Sequence, residues 1–245
     1  VEKQNNLGST GIVGGNQPPA VGAAMAEKFK KTGKVVVSFF GDGSTNTGTF
    51  HESMNMASTL HVPLVAVIEN NLYGMSVPFS GSEVEGATCA SNIEDIAVRA
   101  AAYDVPAMIV DGQDAAAVFL AVREAAQRAR SESEMTIIEA KTYRWYGHSR
   151  SDPRAYRTKA EEKAWHARDP ITVLGEKLLG EGLCTQEELD AIREQANEAI
   201  ETATQFGIDS AWPDASELAK DVCVYETYAD DVIAADKAMV GKVSE

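Results

Sequence analysis

Asp42 stands between two glycines where an apolar run stops, in FFGDGSTNTG, residues 39–48. A carboxylate flanked by residues without side chains, at the end of a buried strand, suits close approach of a ligand to the backbone. The N–H groups of a helix starting near Thr47 would favour an anion such as a phosphate. Asp42 would repel that phosphate unless a cation bridged the two, and magnesium takes one or two carboxylates together with phosphate oxygens. Taken alone, Gly-Asp-Gly reads first as a tight turn with a surface aspartate. A second group changes that reading. Asn70 and Asn71 close the next apolar run, and 26 residues (44–69) separate Asn70 from Gly43. That is the length of one helix and one strand, so adjacent strands would deliver both groups to one place. Their amide and backbone oxygens are hard neutral ligands for the same ion.

A third candidate is TYRWYGHSRSDPRAYR, residues 142–157, which gathers Arg144, Arg150, Arg154, Arg157 and His148 in an acidic chain. It reads either as a solvated loop whose arginines pair with surface carboxylates or as a lid whose cations meet a bound anion. His148 can relay a proton or neutralise developing charge near pH 7. With four arginines and few apolar anchors, the loop is expected to stay mobile until that anion arrives.

These groups need a scaffold, and the hydrophobic pattern supplies one. VVVSFF (35–40), PLVAVIE (63–69), PAMIVDG (106–112) and MTIIEA (135–140) are short apolar runs without alternation, as strands buried on both faces should be. Helical patterns lie between them, over about 18–31, 47–60, 93–102 (with Asn92 as cap) and 114–131. Strands and helices alternating in this way predict an α/β fold, a parallel sheet flanked by helices. After Tyr156 the chain becomes mostly helical, and Thr185 with Glu188 forms a capping-box pattern opening a helix over 185–205. The domain reading is a core with its lid loop over 1–157 and a helical C-terminal extension of the same domain over 158–245.

Composition narrows the classes. The 245 residues are 44% hydrophobic and 24% charged, and 22 basic against 37 acidic residues give a net charge of −15. That balance argues against a nucleic-acid or anionic-membrane surface. No run approaches the ~18 apolar residues of a membrane span. Cys89, Cys184 and Cys223 are far apart and lack metal-ligand spacing, as suits a reducing cytoplasm. The chain opens on Val1, and a segment upstream is expected. His51 and His61 read as core-edge or helix-end residues and His166 as part of a charged helix, Glu52 as an acid either buried near the site or simply favoured by the helix dipole, and Met54 and Met56 as core packing.

Gly-Asp-Gly, 26 residues and Asn-Asn together resemble the signature of thiamine diphosphate enzymes. With GSTGIVGGNQPPAVGAA (8–24), ENNLYGMS (69–76) and the 142–157 loop, the chain resembles the alpha subunit of the dehydrogenase component of 2-oxo acid dehydrogenase complexes, over roughly residues 8–225. That group includes the pyruvate, branched-chain 2-oxo acid and acetoin dehydrogenases. The resemblance implies that Asp42 and Asn71 hold magnesium with the backbone carbonyl of Tyr73. It also implies that the backbone at Gly11 and Val13 meets the aminopyrimidine ring, that Gly43 and Ser44 meet the diphosphate, and that His148 is the lid histidine, catalytic and facing the cofactor.

Decarboxylation of a 2-oxo acid or cleavage of acetoin would follow, with the acyl unit passed to a lipoyl-bearing acyltransferase. A glutamate needed at the pyrimidine nitrogen comes, in this family, from a beta subunit, which implies two alpha and two beta chains. Tyr146 stands where pyruvate enzymes commonly carry a histidine, which suits acetoin enzymes. Ser149 matches a regulatory phosphorylation position of mitochondrial relatives, and a second such position reads Ala155. A transketolase-like or decarboxylase-type half chain and a non-catalytic homologue remain as alternatives. The loop GHSRSDP speaks against the former, and intact Asp42, Asn71 and His148 against the latter.

Overall fold

The computed structural model describes residues 5–81, 86 and 88–219. Its centre is a four-stranded, wholly parallel sheet of β1 (Val36–Gly41), β2 (Leu64–Asn70), β5 (Ala107–Asp111) and β6 (Thr136–Lys141), in the spatial order β1-β2-β6-β5. A separate hairpin pairs β3 (Tyr73–Gly74) with β4 (Val77–Pro78). The registers Gly41↔Glu69, Asn70↔Lys141 and Asp111↔Lys141 bring the carboxyl ends of all four strands to one edge. All four runs predicted as strands are strands, within a residue or two.

Helices α1 (Gln17–Lys30) and α2 (Gly48–Thr59), with a 3₁₀ segment over Ile96–Tyr103, cover one face. Pro18 and Pro19 open α1, where the missing N–H costs nothing. Helix α3 (Ala115–Glu132) covers the other face, packing Ala125 and its neighbours on Val65, Val67, Val110 and Ile138. Its start is fixed by Asp114, whose carboxylate accepts from the N–H groups of Ala116 and Ala117. Leu64 to Ile68 of β2 are buried throughout, and the side chains of Leu64, Val65, Val67 and Ile68 contribute about 1.5–3 kcal/mol each.

Three expectations need correction. The strand at 35–40 is not buried on both faces: Val37 and Phe39 are exposed, because α3 spans β2, β6 and β5 and leaves β1 uncovered. The third helix is a 3₁₀ segment starting at Ile96, after Asp95 rather than Asn92, and Asp95 makes no side-chain cap. Met56 is half-exposed on α2, whereas Met54 is in the core.

The chain divides into two compact units, 1–183 and 184–245. Helices α4 (Lys159–His166) and α5 (Pro170–Gly180) lie within the first. The second carries α6 (Gln186–Asp209), whose Thr185–Glu188 capping box is present as expected. Among the described residues no helix is long and apolar enough to cross a membrane. Cys89 and Cys184 are free thiols, and Cys223 lies outside the described residues.

Candidate active site

Strand β1 delivers Asp42 to the carboxyl edge of the sheet, where the chain turns through one 3₁₀ segment, Asp42–Asn46, before α2 begins. Helix α2 thus starts at Gly48 behind its cap Thr47, as the sequence led one to expect, with the 42–46 turn between it and the aspartate. Thr47 caps α2 through the N–H of Phe50. The turn is tied by its own hydroxyls: Ser44 Oγ donates to the Gly41 carbonyl at 2.8 Å and Thr45 Oγ1 to the Asp42 carbonyl at 2.7 Å.

Asp42 is 1% exposed, and among the described residues its Oδ2 has no hydrogen-bond partner. A buried carboxylate oxygen without a donor is expensive, and a bound cation would satisfy it. Burial pushes the carboxyl pKa up from its ordinary 3.8, against the pull of the nearby N–H groups of Asp42, Asn71 and Gly43 and of the Arg144 charge. The opposing segment is close: a side chain on Gly74 would begin 4.0 Å from Asp42 Oδ2 and 3.5 Å from Gly43 Cα. A Cβ on Gly43 would make only ordinary contact with Gly74 Cα at 3.5 Å, and one on Gly41 would meet nothing within 4 Å, so the fold itself requires glycine at neither position.

The two asparagines have different jobs. Asn70 is buried and turned inward, its Nδ2 donating to Glu139 Oε1 at 2.7 Å and its Oδ1 accepting from Leu72 N–H at 3.2 Å. It is therefore no ligand for an ion at Asp42. Asn71 is only partly buried, with its Oδ1 accepting from Tyr73 N–H at 3.2 Å. The Tyr73 carbonyl accepts from Arg144 Nη1 at 3.2 Å, which uses one of its two lone pairs. One carboxylate, one amide oxygen and one carbonyl form the hard-oxygen set magnesium prefers. Among the described residues there is no cluster of three or more His, Cys, Asp or Glu side chains that could hold a metal.

Gly11 and Val13 lie in an exposed turn closed by Gly15 N–H on the Ile12 carbonyl. Gly14, at φ +80°, seats that turn on α2: a Cβ there would fall 2.7–2.8 Å from Thr49 and Thr47 Oγ1. Gln17, fully buried, donates to Ser44 Oγ at 3.3 Å. The structure thus brings the 11–17 segment beside the 42–46 turn.

His148 is exposed, and its backbone N–H donates to Asp152 Oδ2 at 2.7 Å. The same carboxylate takes Tyr156 OH at 2.5 Å and Arg154 N–H at 2.8 Å. Tyr156 OH in turn accepts from Arg144 Nη2 at 2.7 Å, and Arg144 reaches the Tyr73 carbonyl, so a bonded path joins the loop to the 71–74 segment opposite Asp42. The anchors this loop was expected to lack are therefore present. The main one is Arg157, whose side chain is wholly buried. Its guanidinium donates to the carbonyls of Arg144 and Tyr146 and lies 5.0, 5.7 and 5.8 Å from the ring centres of Tyr143, Tyr156 and Tyr73. Glu162 of α4 pairs with Arg157 at 3.5 Å and with Arg154 at 3.1 Å.

The family described as "Dehydrogenase E1 component" matches residues 1–215. The chain belongs to that family. Curated relatives agree with this membership of the dehydrogenase E1 component family. The alpha subunit of acetoin:2,6-dichlorophenolindophenol oxidoreductase from Bacillus subtilis is 43% identical over 220 residues, covering 89% of this chain and 63% of its own length. Pyruvate dehydrogenase E1 component alpha subunits from Rickettsia conorii and Rhizobium meliloti are each 35% identical, over 86% and 90% of this chain and 62% of their own lengths. The chain thus spans somewhat under two thirds of the relatives it matches.

The hydrogen bonds of the loop give a test of its order. Tyr156 OH first, then the N–H groups of His148 and Arg154, hold the Asp152 carboxyl down to about 2. A depressed carboxyl supports the folded loop above its unfolded value near 3.9 and loses that support as pH falls toward 2. A carboxyl-carbon NMR titration should give an Asp152 midpoint close to 2, and Asp152→Asn should speed tryptic cleavage after the exposed Arg150. An ordinary midpoint near 4 would mean the loop is not held this way.

Proposed function

We propose that this chain is the alpha subunit of a thiamine diphosphate- and magnesium-dependent dehydrogenase acting on acetoin or a 2-oxo acid. The observation that carries it is the buried, donor-less oxygen of Asp42, facing the Asn71–Gly74 segment at the ends of adjacent parallel strands. Asp42, Asn71 and the Tyr73 carbonyl would hold magnesium, and the backbone of Gly43 and Ser44 would bind the diphosphate. The turn at Gly11 and Val13 would meet the aminopyrimidine ring. Bound thiamine diphosphate supplies a nucleophilic carbon and an electron sink for cleaving a bond next to a carbonyl. His148, on the exposed side of the pinned loop, would hold or move the proton at the substrate oxygen.

The described residues offer no carboxylic acid for the pyrimidine nitrogen among these groups, which supports a site completed by a beta subunit, in an assembly of two alpha and two beta chains. A lipoyl-bearing acyltransferase would accept the acyl unit, in the cytoplasm. Tyr146, 82% exposed beside His148, and the 43% identity to an acetoin enzyme favour acetoin among the substrates.

Reconstituting the chain with its beta partner tests this, with 2,6-dichlorophenolindophenol as acceptor and acetoin, pyruvate and branched-chain 2-oxo acids offered in parallel. Reduction that requires both chains, thiamine diphosphate and magnesium, fastest with acetoin, is expected. A chain that reduces the dye alone, or a pair inert to all three substrates, would refute the proposal.

A further inference from the structure

Glu139 is fully buried in the middle of β6, in the apolar run predicted as strand. A carboxylate so far from water persists only when donors fill its lone pairs. Three do: Asn70 Nδ2 at 2.7 Å, the backbone N–H of Ala97 at 2.8 Å and Lys141 Nζ at 3.1 Å. They come from the end of β2, the start of the 3₁₀ segment and the end of β6.

Two of these donors lead to the cation-facing groups. Asn70, fixed by Glu139, uses its Oδ1 to hold Leu72 N–H, which turns the chain that presents Asn71 and the Tyr73 carbonyl. Ala97 opens the 3₁₀ segment that Asp95 leaves uncapped, so Glu139 supplies the missing acceptor. Two residues on, Arg99 donates to the Thr45 carbonyl and, at 2.7 Å, to Asn46 Oδ1, gripping the turn that begins with Asp42. The third donor is not dedicated to Glu139: Lys141 also meets Asp95 at 2.7 Å and the Glu94 carbonyl at 2.9 Å.

The geometry points to Glu139 as a positioning residue for the cation pocket: one buried carboxylate holds the Asn71 segment through Asn70 and the Asp42 turn through Ala97 and Arg99. This rests on the magnesium reading above. Glu139→Gln keeps the shape but turns one N–H₂ against either Asn70 Nδ2 or Ala97 N–H, donor against donor. Asn70→Asp in that background restores complementarity. The amide introduced on β6 then donates to the carboxylate introduced on β2 and accepts from Ala97 N–H. That carboxylate still accepts from Leu72 N–H, and the negative charge stays beside Lys141, the register partner of position 70.

The test uses the full chain assembled with its beta partner. Manganese affinity in the presence of thiamine diphosphate is read by electron paramagnetic resonance, and ligand-free hydrogen exchange is followed over 70–74 and 96–100. Glu139→Gln should weaken manganese binding about 10- to 100-fold, as outer-shell losses do, and raise exchange in both segments. Asn70→Asp with Glu139→Gln should recover wild-type affinity to within about twofold. Val65→Ala, a core truncation at the far end of β2, should lower Tm and leave the affinity unchanged. Glu139→Gln behaving like Val65→Ala, with unchanged manganese affinity, would overturn the inference, and so would failure of the double variant to recover. If the wild-type assembly bound no manganese with thiamine diphosphate, the cofactor reading would fall, and unchanged exchange in Glu139→Gln would separately show that Glu139 holds neither segment.

Discussion

Asp42→Asn should weaken binding of thiamine diphosphate with magnesium by about 2–4 kcal/mol, roughly 30- to 700-fold, while making the ligand-free chain more stable. The loss follows because Asp42 is the only charged group in the proposed oxygen set. The gain follows from the cost of burying a carboxylate whose Oδ2 has no donor. Burial raises the Asp42 pKa from 3.8. An acid with a raised folded pKa contributes its full stability below its unfolded value and loses that stability as pH rises through the folded value. At neutral pH the charged wild-type residue therefore burdens the ligand-free fold, and asparagine removes the burden. Thermal denaturation followed upward from below pH 3.8 to neutral pH should show a smaller pH dependence for Asp42→Asn than for wild type. Adding magnesium and thiamine diphosphate at a fixed concentration should raise Tm of the wild-type assembly more than that of the variant. Unchanged cofactor affinity in calorimetric titration would remove Asp42 from the site.

The cost of burying Asp42 leaves no mark in the sequence, but its place at a strand end does, and parts of the candidate site were legible for that reason. Asp42 and Asn71 stood out because strand ends are marked by composition, and the spacing between them is set by one helix and one strand. The sheet was legible for the same reason, since β2 and β6 are apolar throughout. Spacing alone did not separate Asn70 from Asn71, and only the resemblance named Asn71, because which amide turns inward depends on Glu139, 69 residues away in sequence. Glu139 itself was missed. A single acid within TIIEA reads as a strand-edge residue, and only the packing of β6 against the end of β2 and the 96–103 segment shows that it meets Asn70 and Ala97. The exposure of Val37 and Phe39 depends on which strands α3 spans, which no local pattern encodes. The loop's lack of anchors was misread, because the partners of its arginines are carbonyls, tyrosine rings and Glu162, which no local pattern assigns to them. Its tyrosines at 143 and 156, with Glu162 beyond it, were the available signal that one arginine is enclosed.

Arg157 is where that misreading is most testable. Replacing it with methionine leaves Glu162, 8% exposed, without one of its cationic partners and frees the carbonyls of Arg144 and Tyr146. Removing one member of a buried pair typically destabilises by about 3–5 kcal/mol. For a unit of this size the expected fall in Tm is on the order of 10 °C. Lysine should restore little of it, because a single ammonium cannot serve two carbonyls and a carboxylate in the fork that the guanidinium provides, nor lie flat among three tyrosine rings. The consequence for the site is local order. In the wild-type chain trypsin should cut after Arg150, which is exposed, and spare Arg144 and Arg157, whose side chains are engaged, with or without cofactor. In Arg157→Met, cleavage after Arg144 should appear and slow when thiamine diphosphate and magnesium are added, since Arg144 is tied to the Tyr73 carbonyl beside the proposed metal. Wild-type cleavage after Arg157 as fast as after Arg150 would mean that the loop is not held by its buried arginine.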